Sequence, residues 1–369
     1  MEEPLYIGLM SGTSADGVDA VLAAFGDRPR LLGHRYRPFP ETLHARIRAL
    51  ARPGDDHLDA LGELDGLLAE IHAETVLDLL AGEGLPTARI SALGCHGQTL
   101  RHRPGSTPPF SLQAGDPNRL ALRTGIRTVA DFRRKDIAAG GQGAPLVPPF
   151  HAYCFRTPRE DRAVLNLGGI ANLTLLPADP GRTISGFDTG PANTLLDAWC
   201  RRHRHTPYDP GGAWGAAGRI RHELLDAWVA DPWFARPPPK STGPEWFNLD
   251  WIQKRTDLTG IPPEDVQASL AALTAVSVAR ALTTHFPEAQ RLLVCGGGVH
   301  NAAVMAGLRE ALPGLEVTST AHFGLPPSWI EAAAFAWLAR ERLAGRPGNL
   351  PEVTGASRPV VLGAIYEPD

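Results

Sequence analysis

The chain has few cysteines, little net charge and no long apolar run. Among its 369 residues are four cysteines, Cys95, Cys154, Cys200 and Cys295, and none forms a C-x-x-C pair. This spacing argues against a disulfide framework and a zinc site. The formal net charge is −4 at pH 7, so no general attraction to nucleic acid or anionic lipid is expected. No apolar run reaches about 18 residues, and the N-terminus lacks a basic segment followed by a long apolar stretch. A soluble, cytoplasmic protein is therefore predicted.

The densest basic run is short and is predicted to end a helix. Arg201-Arg202-His203-Arg204-His205 follows a helical pattern and precedes Pro207. Cations at that position interact favourably with the helix dipole, so a solvated helix end is preferred over a nucleic-acid patch. Cys95 and Cys295 each end an apolar run and are predicted to be buried, inert thiols.

Apolar runs and turn residues predict an α/β protein with mixed sheets, because antiparallel strands are followed by alternating helices and strands. The length corresponds to two or three domains. The predicted strands are residues 5–10, 20–25, 31–36, 90–95, 127–130, 163–167, 171–176, 183–187, 292–295 and 360–364. The predicted helices are residues 58–80, 116–123, 193–201, 265–286, 301–312 and 329–343. Residues 232–248, rich in proline and aromatic side chains, are predicted to be an ordered loop.

One pattern occurs twice along the chain. Strand, glycine-rich turn, strand and strand appear near residues 5–36 and again near 163–187. Two copies of one supersecondary unit suggest two related halves with a cleft between them.

The turn after the first predicted strand combines small residues with polar ones. Because its side chains are small, the backbone N–H groups can approach an anion, and Thr13 and Ser14 add hydroxyl donors. Asp16 and Asp19 add carboxylates of the kind that hold a hydrated Mg²⁺. The turn therefore suggests the phosphates of a nucleotide, with a polar hairpin as the plain alternative.

Two further glycine-rich turns follow apolar strands, at Gly168-Gly169 and at residues 296–298. None of the three turns has the Gly-Lys-Ser/Thr of a P-loop or the spacing of a dinucleotide fingerprint. A nucleotide bound there is expected to be held mostly by backbone groups and hydroxyls.

Asp188 stands at a predicted strand end just before a helix, in Gly-Phe-Asp-Thr-Gly-Pro. A carboxylate at that edge of an α/β sheet faces the crevice where ligands bind, which suits a general base. The alternative is a helix cap formed by Asp188 or Thr189.

Polar residues also follow two other predicted strands. His96 and Gln98 lie at one strand end, where they suit hydrogen bonds to a polyol, with a core histidine as the alternative. The next strand leads into Asp131-Phe132-Arg133-Arg134-Lys135-Asp136, by default a surface ion-pair cluster. Either Arg133 or Arg134 is also suited to bind a substrate carboxylate bidentately. The small residues 138–145 that follow suit a hinge or an active-site loop.

Several long motifs occur in order between residues 7 and 367: MSGTSADGVDA, GCHGQT, LQAGDPN, DFRRKDIAAGGQGAPLVPPFH, NLGGIANLT, GFDTGPAN, PPPKSTGPEWFN, VCGGGVHN, EAAAFAWLA, GNLPEVTGA and VLGAIYEP. By these motifs the chain resembles the anhydro-N-acetylmuramic acid kinase family of the sugar kinase/Hsp70/actin superfamily. The resemblance implies two RNase H-like domains that flank an ATP cleft, residues 1–130 with about 345–369, and residues 131–344. It also implies a homodimer.

The activity that the resemblance implies is ATP-dependent. Water, deprotonated by Asp188, opens the 1,6-anhydro ring of 1,6-anhydro-N-acetylmuramic acid, and O6 takes the γ-phosphoryl group. The products are N-acetylmuramic acid 6-phosphate and ADP, as in peptidoglycan recycling. One alternative is an ordinary sugar hydroxyl kinase on the same scaffold. Another is a nucleotide-gated scaffold like the actin and Hsp70 relatives, against which the short chain argues.

The resemblance also implies roles for individual residues. Asp188 and Glu331 are expected to be catalytic, and Asp16 is expected to hold Mg²⁺ through water. ATP is expected to contact Gly12, Thr13, Ser14, Ala15, Asp16, Gly17, Val18, Asp19, Gly168, Gly169, Gly296, Gly297 and Gly298. The amino sugar is expected to contact His96, Gln98, Asp131, Arg133 and Arg134. Ala15, Ala192 and Ser328 depart from the usual pattern, and the first two are expected only to tune packing.

Overall fold

The computed structural model describes residues 3–12, 14–52, 54 and 57–369. Its strands are β1 Leu5–Ser11, β2 Gly17–Phe25, β3 Pro29–Pro38, β4 Ile90–Arg103, β5 Phe110–Ala114, β6 Thr128–Ala130, β7 Arg162–Leu167, β8 Ile170–Leu176, β9 Ser185–Pro191, β10 Arg291–Cys295, β11 Glu316–Ser319 and β12 Ala364–Tyr366. Its α-helices are α1 Glu41–Ala51, α2 Leu58–Glu83, α3 Pro117–Thr124, α4 Phe132–Ala138, α5 Pro148–Phe155, α6 Asn193–Arg204, α7 Ala213–Ala217, α8 His222–Val229, α9 Leu249–Gln253, α10 Pro263–His285, α11 Ala302–Ala311, α12 Ile330–Leu343 and α13 Pro351–Thr354. Short 3₁₀ segments include Gly297–His300 and Pro327–Trp329.

The first compact unit extends to Cys154 and is completed by Trp329–Asp369. Its sheet has the strand order β12-β6-β4-β1-β2-β3, with β5 paired to β4. β1, β2 and β3 pair antiparallel in succession, whereas β4 runs parallel to β1 and β6 parallel to β4. Helices α2 and α12 pack on this sheet and bury its apolar side chains.

Helix α12 lies unusually close to the sheet of this unit. A Cβ atom on Gly8 of β1 would stand 1.8 Å from the Ala332 carbonyl oxygen, and one on Gly94 of β4 would stand 1.9 Å from that of Phe335. Only glycine fits at these two contacts, because any side chain would force the helix away from the strands. The contact fixes the first turn of α12, which carries Glu331, on the sheet.

The second compact unit is Phe155–Ser328, with the strand order β11-β10-β7-β8-β9. β7, β8 and β9 pair antiparallel in succession, and β10 and β11 continue the sheet in parallel. Helix α10 is long and apolar enough to cross a membrane by length and composition, but most of it is buried in the core of this unit.

Both units have the same strand order: third, second, first, fourth and then a last parallel strand. β3-β2-β1-β4-β6 in the first unit corresponds to β9-β8-β7-β10-β11 in the second. This is the RNase H-like arrangement, and it confirms both the predicted mixed α/β class and the internal repeat. Cys95 and Cys295 are buried as predicted, and burial raises the pKa of Cys95 to about 12.

The structure corrects several predicted boundaries. The compact units divide after Cys154 and after Ser328, because α12 packs on β1, β2 and β4 of the first unit. Strand β4 continues to Arg103, so His96 and Gln98 lie inside a strand and not at its end. Asp188 likewise lies inside β9. The last strand is Ala364–Tyr366, and helices such as α1 and α5 had no clear sequence signal.

Candidate active site

The turn between β1 and β2 is held by two buried polar side chains, Ser11 and Gln98. Ser11 Oγ lies 2.9 Å from the Gly17 carbonyl oxygen and 2.5 Å from Gln98 Oε1. Gln98 Nε2 donates to the Gly12 carbonyl oxygen at 3.2 Å. Gln98 is 1% exposed, so its contacts support the turn from beneath. The sugar contact predicted for Gln98 stays a prediction.

The backbone of this turn is tight. Ala15 has a φ of 54°, is buried, and donates its N–H to the Gly12 carbonyl oxygen at 3.1 Å. Val18 is fully buried in β2, where it pairs with Arg37 of β3. Thr13 lies outside the described residues. The remaining small residues keep the turn compact enough for an anion to approach its backbone.

The two acids of the turn have different surroundings. Asp16 is exposed, and its Oδ1 accepts a hydrogen bond from Ser14 Oγ at 2.8 Å. Asp19 Oδ1 lies 2.7 Å from His34 Nε2, and the His34 ring stacks on Trp329 with centroids 5.0 Å apart. Asp16 is therefore the better placed of the two for a hydrated cation.

The residues fit Mg²⁺ bound mainly by phosphate and water. Within the described ranges, no group of three His, Cys, Asp or Glu side chains is close enough to hold a metal. Mg²⁺ commonly uses one or two carboxylates together with substrate phosphates and waters, and the exposed Asp16 carboxylate meets that need.

The Gly168-Gly169 turn lies against the start of helix α6. The Gly168 carbonyl oxygen accepts the Asn193 N–H at 3.1 Å, and that of Gly169 accepts the N–H groups of Ala192 and Thr194 at 3.0 Å. Helix N-termini favour anions through their partial positive charge. The turn carbonyls already accept the N–H groups of Ala192, Asn193 and Thr194, so the start of α6 would favour a phosphate through its dipole and not through these donors.

The residues 296–298 pack against the end of β7. Gly296 has a φ of 82°, and a Cβ there would stand 2.4 Å from Asn166 Oδ1. A Cβ on Gly298 would stand 2.6 Å from that of Leu167, whereas Gly297 is exposed. The ends of β7 and β10 therefore meet at one edge of the sheet, the usual ligand edge of parallel strands.

Asp188 is held by the segment that precedes α9. Its Oδ2 accepts the Thr242 backbone N–H at 2.8 Å, and its own N–H donates to the Lys240 carbonyl oxygen at 3.0 Å. Ala192, not Asp188 or Thr189, occupies the cap position of α6 and makes no side-chain cap bond, so the capping interpretation is wrong.

The carboxyl of Asp188 is poorly solvated although part of it remains exposed. Its pKa is raised to about 7, mainly by burial and also by the charge of Glu245, against the lowering effects of the Thr242 N–H and the charge of Lys240. Such a carboxyl exchanges a proton near neutral pH, as a general base must. The Thr242 hydroxyl oxygen beside it is buried and, in the described part of the chain, has no hydrogen-bond partner. Lys240 and Thr242 lie in the motif PPPKSTGPEWFN, but the sequence analysis did not identify either of them as a site residue.

His96 and Arg133 form a pair. Arg133 Nε and Nη2 point at His96 Nε2 at 3.1 and 2.8 Å, and Nη1 donates to the Gly143 carbonyl oxygen at 2.7 Å. Burial and then Arg133 lower the pKa of His96 well below its usual value, so His96 is neutral and accepts at Nε2. Burial lowers the pKa of Arg133 to about 10, and the nearby Glu331 raises it.

The two arginines of the motif are therefore not equivalent. Arg134 is exposed and donates to Asp131 Oδ1 at 2.7 Å, an ordinary surface ion pair. The structure brings together Arg133, His96 and Glu331, which is in the first turn of α12. A separate cavity of about 680 Å³, lined by Trp199, Arg202, Lys254 and others in the second unit, includes none of the predicted site residues.

The chain is similar to known proteins over nearly its whole length. Residues 4–368 match the profile of the family described as "Anhydro-N-acetylmuramic acid kinase". A protein of that name from Xanthomonas axonopodis pv. citri (strain 306) is 52% identical over 371 residues, 99% of each chain. Another from Saccharophagus degradans is 49% identical over the full length of both. Among solved structures, the activator of the 2-hydroxyisocaproyl-CoA dehydratase from Clostridium difficile has a TM-score of 0.46 at 10% identity, and covers 93% of this chain and 96% of its own.

Proposed function

Because this chain belongs to the anhydro-N-acetylmuramic acid kinase family, we propose that it opens the 1,6-anhydro ring of 1,6-anhydro-N-acetylmuramic acid and phosphorylates O6 with ATP. The family membership makes it a kinase. The ring-opening reaction, its products and the roles of the residues below are the proposal.

The environment of Asp188 carries the proposal. A 1,6-anhydro sugar has no free 6-hydroxyl, so the reaction needs a base that activates water before phosphoryl transfer. The carboxyl of Asp188 has a pKa of about 7 and a fixed orientation through the Thr242 N–H. Its ionised form takes a proton from water, and a surface carboxylate with an ordinary pKa would be a weaker base.

The proposed reaction conserves atoms and charge. The Asp188 carboxylate accepts a proton from water while the water oxygen attacks C1. The C1–O6 bond breaks, and O6 forms a bond to the γ-phosphorus as the bond from that phosphorus to the β,γ-bridging oxygen breaks. N-acetylmuramic acid 6-phosphate and ADP leave, and Asp188 releases the proton to solvent. Phosphoryl transfer of this kind depends mainly on positioning and electrostatic stabilisation.

Arg133 is the proposed ligand of the lactyl carboxylate. Its guanidinium is half-buried and oriented by His96 and Gly143, whereas Arg134 lies exposed on Asp131. An oriented guanidinium binds a carboxylate bidentately and more strongly than a mobile surface arginine does. Glu331, close enough to influence Arg133, is proposed to orient the attacking water.

ATP is proposed to bind through the backbone of residues 12–19, Gly168-Gly169 and residues 296–298. The tight first turn and the start of α6 both favour phosphate oxygens. Asp16 would hold Mg²⁺ through water, and the ion when bound would offset charge on the phosphates. We also propose that the protein is a cytoplasmic homodimer, as the family resemblance suggests.

Two sugars distinguish the proposed reaction from ordinary hydroxyl phosphorylation. The protein is incubated with ATP, Mg²⁺ and either 1,6-anhydro-N-acetylmuramic acid or N-acetylmuramic acid, and products are identified by mass spectrometry. The proposal predicts stoichiometric ADP and a 6-phosphate from the anhydro sugar. Phosphorylation of N-acetylmuramic acid alone would identify an ordinary sugar kinase, and ATP hydrolysis indifferent to either sugar would indicate a nucleotide-gated scaffold.

A further inference from the structure

Asp136 is a fully buried carboxylate that binds several neutral donors. Its Oδ1 accepts from Asn349 Nδ2 and from Thr354 Oγ1, each at 2.7 Å, and its Oδ2 accepts the Gly143 backbone N–H at 2.7 Å. A buried carboxylate is costly unless such bonds satisfy it. These bonds join the end of α4 and the loop after it to Asn349, which precedes α13, and to Thr354, which ends it.

The loop of residues 139–143 is folded around this carboxylate. The Gly141 N–H donates to the Asp136 carbonyl oxygen at 2.9 Å, and a Cβ on Gly141 would stand 2.3 Å from Asp136 Oδ2. The Gln142 N–H donates to the Thr354 carbonyl oxygen at 2.8 Å. The position of the Gly143 peptide is therefore set by Asp136 and its partners.

The same peptide orients Arg133. Gly143 donates its N–H to Asp136 and accepts Arg133 Nη1 on its carbonyl oxygen, while Arg133 Nε and Nη2 point at His96. A guanidinium has five N–H donors in a rigid plane. The contacts with His96 and Gly143 use three of these five donors and leave one N–H on each of Nη1 and Nη2. That pair matches the two oxygens of a carboxylate.

We infer that Asp136 is a positioning residue that, through Gly143, aims this remaining N–H pair of Arg133 and so selects sugars that carry a carboxylate. The inference rests on the proposed role of Arg133 in the function above. Asp136 touches neither substrate nor ATP in this account. Its negative charge also raises the pKa of Arg133, in the direction that keeps the guanidinium charged.

The test compares two sugars that differ in the carboxylate. Dissociation constants of 1,6-anhydro-N-acetylmuramic acid and 1,6-anhydro-N-acetylglucosamine, which lacks the lactyl group, are measured by calorimetry. Asp136→Asn places an amide where neutral donors converge. It is expected to weaken binding of the first sugar about tenfold, which corresponds to the loss of about one charge-assisted hydrogen bond, and binding of the second by less than about twofold. The selectivity ratio, defined as the dissociation constant of the second sugar divided by that of the first, should therefore fall. Equal weakening of both sugars would show a merely structural role and overturn the inference.

Two further variants keep the test decisive. Thr354→Val removes one donor to Asp136 at nearly constant volume and is expected to reduce the same selectivity ratio by a smaller factor. If Asp136→Asn does not fold, an unchanged ratio in folded Thr354→Val overturns the inference. Asp265→Asn, a buried carboxylate of the second unit that accepts the Arg219 N–H, is the matched control and should leave the ratio unchanged.

Failure of this inference is distinguishable from failure of the proposed carboxylate site. Arg133→Lys keeps the charge but loses the planar N–H pair, so it is expected to abolish the selectivity ratio. An effect of Arg133→Lys without one of Asp136→Asn contradicts the inference alone. If neither variant changes the ratio, the role proposed for Arg133 is itself wrong.

Discussion

The Thr242 backbone N–H donates to Asp188 Oδ2 at 2.8 Å, across 54 residues of sequence. The bond is part of a two-way contact, because Asp188 returns its own N–H to the Lys240 carbonyl oxygen. Lys240 Nζ in turn donates to the Phe234 carbonyl oxygen and lies 4.6 Å from the centroid of the Trp233 ring. The proline- and aromatic-rich segment thus orients the carboxyl on which the proposed chemistry depends.

Removing the charge of Asp188 is expected to stop turnover while leaving the affinity for ATP nearly unchanged. Asp188→Asn keeps the shape and an acceptor for the Thr242 N–H but cannot take a proton from water. Its kcat should fall by about 10²–10⁴-fold, the range for general bases, while the dissociation constant of ATP changes by less than about twofold. Steady-state kinetics and calorimetry measure the two quantities. A variant with nearly normal kcat would remove Asp188 from the role of base.

The pH dependence of kcat/KM is expected to show one ascending limb from Asp188. The base must be ionised, and burial raises its pKa to about 7, so activity should be low at pH 5 and rise through about pH 7. His96 does not contribute a limb there, because its pKa lies well below the ordinary value. An ascending limb centred near pH 4 would show that the carboxyl has an ordinary pKa and would contradict the proposed environment.

The same raised pKa predicts a pH-dependent cost in stability. Between about pH 4 and pH 7 the unfolded chain has an ionised Asp188, whereas the folded chain keeps the proton, so folding takes up a proton and the stability of the folded state falls as pH rises. Asp188→Asn lacks this cost and should gain in melting temperature over the wild type between pH 4 and pH 7, with no further gain above. Differential scanning fluorimetry at a series of pH values measures the difference. A difference that is constant from pH 4 to pH 8 would contradict it.

Much of the fold was predictable because its signals are local. Alternating and continuous apolar runs located most of the strands in both halves, and the glycine-rich turns marked the ends of β1, β7 and β10. Asp188 was a candidate from the sequence because it follows an apolar run and precedes a helix, although the structure places it inside β9.

The partners of the site side chains were not predictable, because they come from distant parts of the chain. Gln98 supports a turn 86 residues away, and His96 accepts from an arginine 37 residues away. The choice between Arg133 and Arg134 depends on which face of the short helix α4 turns inward, and a seven-residue helix gives little periodicity from which to decide. In the sequence, Asp136 is one acid in a charged run, and only the structure shows that Asn349 and Thr354 donate hydrogen bonds to it.

Isotopic water tests the central claim most directly, namely that water attacks C1 and opens the ring, instead of a sugar hydroxyl attacking the γ-phosphorus. The protein is incubated with ATP, Mg²⁺ and 1,6-anhydro-N-acetylmuramic acid in ¹⁸O-water, and the product is analysed promptly by mass spectrometry. N-acetylmuramic acid 6-phosphate incubated alone in ¹⁸O-water corrects for exchange at C1. The account predicts one ¹⁸O at C1 and none in the transferred phosphate. A 6-phosphorylated product without label at C1, or label in the phosphate, would contradict it.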